Sequence, residues 1–232
     1  MLSRALRDTG LVGTPEEYFL SVDRRAYPDF PTWEDGPHGR PGQSRAEYLA
    51  SVYNAGTTPN GVFSAKLHWI CVEWMLPKFR DLPEFVGLDD LAVFQKAFPE
   101  LQVVFLTRQN HLAQAVSWAR ADQENVWLVT DDQPADPARK PTYDGELIGN
   151  LIRLIEFGEA QWQQWFERLG LQPVLANYED LTADLGGEVA RIVNELGLGV
   201  VDTSHILPAT HRQADTINQE WADRFREELP NP

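Results

Sequence analysis

Apolar residues recur along most of this chain at the three-to-four-residue spacing of helices, and short apolar runs separate these stretches. The spacing predicts a short N-terminal helix that Gly10 ends, and longer helices over 45–55, 68–79 (interrupted at Pro77), 89–98, 111–122, 146–169, 187–196 and 218–229. The apolar runs predict strands over 61–67, 101–106 and 173–178. This alternation favours an α/β fold, a three-layer α/β/α arrangement around a mainly parallel sheet.

Two segments rich in proline interrupt the alternation, at about 23–44 and 131–144. Long loops of this kind are typical of lids and binding loops. Because helices and strands alternate on both sides of them, we interpret them as insertions in a single domain that spans 1–232.

Glu17 allows two interpretations. Thr14 followed by Pro15 has the pattern of a helix start, and Glu17 stands at the reciprocal position of a capping box. A glutamate fixed in this way could also act as a general base. The pattern alone leaves both roles open.

The amino-acid composition restricts the kinds of molecule that the protein can bind. The formal net charge is −15, which argues against broad binding of nucleic acid or anionic membranes, so an anionic ligand would need a few locally placed arginines. Cys71 is the single cysteine, which excludes an internal disulfide framework and suits a cytoplasmic location. No apolar run approaches the roughly 18 to 20 residues of a membrane span. The five histidines show no metal-ligand spacing, so we expect no metal site.

The strand predicted over 101–106 leads into Arg108 and a helix that carries Ser117. Ligands of parallel sheets bind beyond the carboxyl ends of the strands, so this arginine and serine could cradle a phosphate. An ordinary capping loop with a solvated arginine would give the same pattern.

Four further polar or aromatic residues are candidates. Lys66 ends another predicted strand, where it could face an anion or a sugar hydroxyl, or extend into solvent. Trp69 follows it and could pack in the core or stack against a sugar. Arg212 and Gln213 precede the last helix and could cap it or fold over a nucleotide.

Taken in order, four blocks resemble the bacterial sulfotransferases of the trehalose 2-sulfotransferase type. The blocks lie between residue 2 and about residue 224 and read LRDTGLVG with PEEYF, PNGVF with KL and W, R with QAVS and RA, and RQAD with EW. The first contains Glu17, the second Lys66 and Trp69, the third Arg108 and Ser117, and the last Arg212 and Gln213.

The resemblance implies a fold related to the nucleotide kinases and 3'-phosphoadenosine-5'-phosphosulfate (PAPS) as sulfuryl donor. The acceptor would be a hydroxyl of a sugar or a similar small molecule, with Glu17 as the general base and Lys66 and Trp69 on the acceptor side. Arg108 and Ser117 fall on the family's contacts to the 3'-phosphate. Arg212 and Gln213 fall on a loop near the nucleotide, and a homodimer is a further expectation.

At its N-terminus the sequence differs from the family that it resembles. The family begins with a strand and an Arg-Ser-Gly-Ser-Thr type loop that holds the 5'-phosphosulfate, and Met1 stands just after the place of that loop. The fold would then miss its first strand, and efficient transfer by the chain as written is not expected. Two hypotheses follow: a start further upstream that gives an active enzyme, or a shortened, inactive relative that binds a nucleotide or a partner.

Overall fold

The computed structural model describes residues 1–20, 42–124, 140–207 and 216–228. The helices in these ranges are α1 (Leu2–Asp8), α2 (Arg45–Gly56), α3 (Trp69–Arg80), α4 (Asp90–Ala97), α5 (His111–Glu124), α6 (Gly145–Leu169), α7 (Tyr178–Ala183), α8 (Leu185–Glu195) and α9 (Thr216–Glu228). A 3₁₀ turn covers Pro83–Phe85. The predicted helices from 45 onward agree with these bounds to within a few residues.

Two parallel strands form the sheet of the described part, β1 (Val104–Thr107) and β2 (Val174–Asn177). Val104 lies opposite Val174, and the pairing continues to Thr107 and Asn177. The prediction of strands near 101–106 and 173–178 in parallel is therefore confirmed. Around these strands the described residues are mostly helical. Of the larger parallel sheet that the sequence predicts, the described part therefore contains these two strands.

The predicted strand over 61–67 is wrong as a continuous element. Only two isolated bridges form there, an antiparallel one between Thr57 and Phe63 and a parallel one between Glu16 and Ala65. The backbone of this segment pairs with single residues at different places in the chain. Among the described residues, no strand of matching length runs beside it. An extended segment with such partners is held in place without becoming part of a ladder.

The helix start predicted at Thr14 is also wrong, because this backbone bonds across to another segment. Thr14 N donates to Gly56 O at 2.9 Å, and Lys66 N donates to Glu16 O at 2.9 Å. Gly13 permits this approach, since its φ is +73° and a Cβ there would lie 2.5 Å from Ser64 N. The capping-box explanation of Glu17 therefore does not apply.

Pro77 does not interrupt its helix, contrary to the sequence prediction. Proline removes one backbone donor inside α3, yet the helix continues to Arg80. Met75, Leu76 and Phe79 are buried around the proline. Their burial offsets the lost hydrogen bond and keeps the turn helical.

Three clusters of buried apolar side chains hold these elements together. One lies among α2, α3 and α4, the second joins α1 and the sheet to α7 and α8, and the third lies among α5, α6 and α9. The second cluster fixes the sheet and α7, the helix that follows β2, whereas α5, which follows β1, packs in the third cluster.

Leu181 gives a stability prediction for the second cluster. Its side chain is 1% exposed, so Leu181→Ala is expected to lower the free energy of unfolding by about 2 to 5 kcal/mol. Leu207 is 76% exposed, and Leu207→Ala should change it by less than about 0.5 kcal/mol. Urea denaturation of both variants measures the difference, and equal midpoints would contradict the assignment of this core.

Candidate active site and nucleotide cavity

The Glu17 carboxylate lies between two nitrogen groups from one neighbouring segment. Lys66 Nζ donates to Glu17 Oε1 at 2.6 Å, and His68 Nε2 lies 2.9 Å from the same oxygen. The three side chains are partly open to solvent. The structure therefore brings the predicted base together with the predicted acceptor-side lysine, 49 positions apart in the chain.

The bridge between Glu16 and Ala65 explains this placement. Successive side chains of an extended backbone point in opposite directions, so Glu16 turns to Arg7 of α1 at 2.8 Å while Glu17 turns to Lys66. The following two residues, Tyr18 and Phe19, are buried in the first cluster. Their burial anchors the backbone beside the carboxylate.

The surroundings keep Glu17 charged. Hydrogen bonding from His68 and the nearby Lys66 ammonium lower the pKa of Glu17 from 4.5 to about 2, although partial burial acts in the opposite direction. The carboxylate is therefore ionised at neutral pH and able to accept a proton.

Sequence reasoning gave His68 no role. The spacing of His68 from Lys66 could have indicated a role, because residues two apart in an extended segment share one face. His68 has extended φ and ψ angles of −97° and 151° directly before α3, and its side chain caps no helix N–H. Its ring is thus directed to Glu17.

Trp69 packs against α6. Its ring lies 5.3 Å from that of Trp162 and 6.0 Å from that of Trp165, measured between centroids. Its Nε1 is buried, and no acceptor reaches it in the part of the chain described. The ring therefore fixes the start of α3 next to His68, and its predicted contact with the acceptor stays a prediction.

Arg108 lines a cavity of about 840 Å³ beyond the carboxyl ends of β1 and β2. Its guanidinium lies over the ring of Tyr178, 4.4 Å from the centroid. Residues from α5, α7 and α9 form the walls, among them Asn218 and Arg226. A cavity of this size suits a nucleotide-sized ligand, and its position is the one expected for a parallel sheet.

Just beyond the end of β1, two backbone N–H groups already donate hydrogen bonds to a carboxylate. Glu179 accepts hydrogen bonds from the N–H groups of Gln109 and Asn110 at 3.3 and 3.4 Å. Asn110 in turn caps α5 by accepting from Ala113 N at 2.9 Å. The negative charge of Glu179 therefore lies in the same cavity as Arg108.

This charge leads to a prediction. Glu179→Gln should strengthen binding of 3'-phosphoadenosine 5'-phosphate by roughly two- to fivefold, because the repulsion between carboxylate and phosphate is removed at a solvent-screened site. Glu195→Gln is the matched control, since Glu195 pairs with Arg191 on α8. Isothermal titration of the three proteins measures the effect. An unchanged or weaker affinity in Glu179→Gln would show that this carboxylate does not face the ligand.

Ser117, the other predicted nucleotide contact within the described residues, lies apart from the cavity of Arg108. Ser117 lies six residues beyond His111 along α5, about 9 Å at the rise of an α-helix, and it does not line the cavity. Arg212 and Gln213, with most of the two predicted loops, lie outside the described residues. Their roles stay predictions.

Comparison with known proteins decides the family. The profile described as Stf0 sulphotransferase matches residues 1–228. The chain belongs to the Stf0 sulphotransferase family. Among its relatives, the trehalose 2-sulfotransferase of Mycolicibacterium smegmatis is 27% identical over 245 residues, which cover 97% of this chain and 89% of that protein. The trehalose 2-sulfotransferase of Mycobacterium tuberculosis is 28% identical over 248 residues, covering 99% and 91%.

Membership of the Stf0 family makes this chain a sulfotransferase by descent and confirms the resemblance found in the sequence. Across the described ranges, histidine, cysteine and acidic side chains form no group of three or more that could hold a metal ion. None of the helices in those ranges combines the length and apolar character needed to cross a bilayer.

Proposed function

We propose that the protein transfers the sulfuryl group of PAPS to a hydroxyl of a sugar or similar small acceptor, with Glu17 as general base. The observation that carries this proposal is the ionised Glu17 carboxylate beside Lys66 and His68 in an Stf0-family chain. A carboxylate whose backbone is anchored on buried neighbours is suited to accept a proton in one fixed direction.

The reaction forms one bond and breaks another at sulfur. The acceptor oxygen attacks the sulfur atom, the bond from sulfur to the 5'-phosphate oxygen breaks, and the acceptor proton goes to Glu17. The leaving group, 3'-phosphoadenosine 5'-phosphate, departs with the bonding electron pair. Catalysis then depends on positioning the two substrates and stabilising the charge that develops between them, as in phosphoryl transfer.

Lys66 has two tasks in this proposal. Without substrates its ammonium neutralises Glu17 at 2.6 Å. When the acceptor binds, the flexible side chain can move from Glu17 toward the acceptor hydroxyl, because a lysine carries its charge on a long mobile stem. Loss of that ion pair raises the pKa of Glu17 and makes the carboxylate a better base when the acceptor arrives.

The cavity beside Arg108 is the proposed donor site. Arg108 would bind the 3'-phosphate, and the ring of Tyr178 beneath it offers a face for the adenosine. Arg212 and Gln213 would complete the proposed nucleotide contacts, and Ser117, which does not line this cavity, stays a predicted contact that the family resemblance implies. The fold related to the nucleotide kinases, the single domain, the cytoplasmic location and the homodimer are proposals on the same basis.

A screen of acceptors tests the function. The native protein is incubated with ³⁵S-labelled PAPS and a panel of sugars and simple alcohols, with trehalose first because two relatives are trehalose 2-sulfotransferases. We expect label in at least one sugar and none in a reaction without acceptor. Donor binding without label in any acceptor would contradict the proposal.

A further inference from the structure

The two oxygens of the Glu17 carboxylate differ in their surroundings. Both Lys66 and His68 bind Oε1. No hydrogen bond reaches Oε2 from any residue that the structure describes. Oε2 is therefore the oxygen with capacity for a new partner, while Oε1 fixes the orientation of the group.

Of the two partners of Oε1, His68 is the rigid one. Its carbonyl accepts from Cys71 N at 2.9 Å in the first turn of α3, and Cys71 is buried. Trp69, the next residue, packs against Trp162 and Trp165 of α6. A histidine ring also has only two torsions, whereas the ammonium of Lys66 ends a long flexible stem.

We propose that His68 is a positioning residue for sulfuryl transfer: its Nε2–H holds Oε1 of Glu17 so that Oε2 faces the acceptor hydroxyl. This rests on the proposed function of Glu17 as base. The acceptor proton goes to Oε2 as the new oxygen–sulfur bond forms, and the donor's sulfur–oxygen bond breaks. His68 keeps its own proton throughout.

The charges around the cluster come from two elements. Lys66 and His68 face the carboxylate from the extended segment, and on the α1 side the α-amino group of Met1 lies near the charges of Lys66 and Arg4. Glu16 points away, to Arg7. The hydrogen bond from His68 is the largest cause of the low pKa of Glu17, so removing it raises that pKa even with Lys66 in place.

Two variants separate positioning from a general structural effect. His68→Leu fills similar space without a donor, and His68→Gln keeps an N–H donor at the end of its side chain. We expect His68→Leu to lower kcat by roughly 10- to 100-fold with the KM for PAPS unchanged, and His68→Gln to restore most of the rate. His205→Leu is the control, because His205 is exposed and its ring lies, within the described part of the chain, near Asp8 O (Nε2 at 3.4 Å) and the charge of Asp202, away from Glu17.

A second readout does not depend on turnover. In protein labelled with ¹³C at glutamate carboxyl carbons and free of donor, the pKa of Glu17 should be about 2 in the wild type and higher in His68→Leu. A pKa that does not move, or equal loss of kcat in the leucine and glutamine variants, overturns the positioning role alone. Absence of transfer by the wild type overturns the proposed function and the role of His68 in it.

Discussion

Glu17→Gln is expected to lower sulfuryl transfer by about 10²- to 10⁴-fold, the usual contribution of a general base. Glutamine keeps the size of the side chain and its ability to accept from Lys66 and His68, but it cannot take the acceptor proton. The affinity for 3'-phosphoadenosine 5'-phosphate should stay unchanged. Rates measured with ³⁵S-labelled PAPS, together with isothermal titration, separate the two effects.

The matched control for this variant is the preceding glutamate. Glu16 pairs with Arg7 on the opposite side of the extended backbone, so Glu16→Gln should keep the rate within a few-fold. A Glu17→Gln variant with the wild-type rate would remove Glu17 from the mechanism. Equal losses in both variants would point to a disturbed backbone instead.

Arg108→Ala is expected to weaken binding of 3'-phosphoadenosine 5'-phosphate by roughly 10- to 150-fold, the worth of a hydrogen bond to a charged group. The arginine is half-buried over Tyr178, where solvent screens its charge less than at the open surface. Isothermal titration with the nucleotide measures the change.

Arg153→Ala is the control for Arg108→Ala, because Arg153 is exposed on α6 and, among the residues that the structure describes, donates a hydrogen bond only to Asn150. We expect its affinity to match the wild type. If both arginine variants bound equally well, the cavity beyond β1 and β2 would not be the phosphate site.

The helices and the two sheet strands could be predicted from the sequence because their apolar spacing is strong. α6 shows this best, since Ile148, Leu151 and Ile155 recur at helical spacing and are all buried. The strand at 104–107 could be predicted because the residues around it form an almost wholly apolar run. Burial of one face decided α6, and the helical spacing of its apolar residues records that burial directly.

The failures occur where contacts between distant segments override local signals. Thr14 and Glu17 have the pattern of a capping box, yet Thr14 N bonds to Gly56 O, 42 positions away, and the helix does not form. The same long-range pairing brings Lys66 and His68 to Glu17. No local pattern records which distant backbone a segment will meet.

Part of the candidate site came from the family resemblance and part from the structure alone. The resemblance assigned functional roles to Glu17 and Arg108. For these two residues the sequence pattern alone did not distinguish a chemical role from a place in a capping motif. It gave no reason to notice Glu179, whose carboxylate meets the N–H groups of Gln109 and Asn110 only because β1 and β2 are neighbours. That charge beside the proposed phosphate site can be found only from the folded structure.

The most direct test of the central claim is a single-turnover reaction of the native protein with PAPS and the best acceptor from the screen. Quenched samples are analysed for 3'-phosphoadenosine 5'-phosphate and for sulfated acceptor. We predict that the two products appear at the same rate and in equal amounts. Nucleotide release without sulfated acceptor would indicate a hydrolase, and bound but unreacted PAPS a binding protein; either result would contradict a sulfotransferase that acts through Glu17.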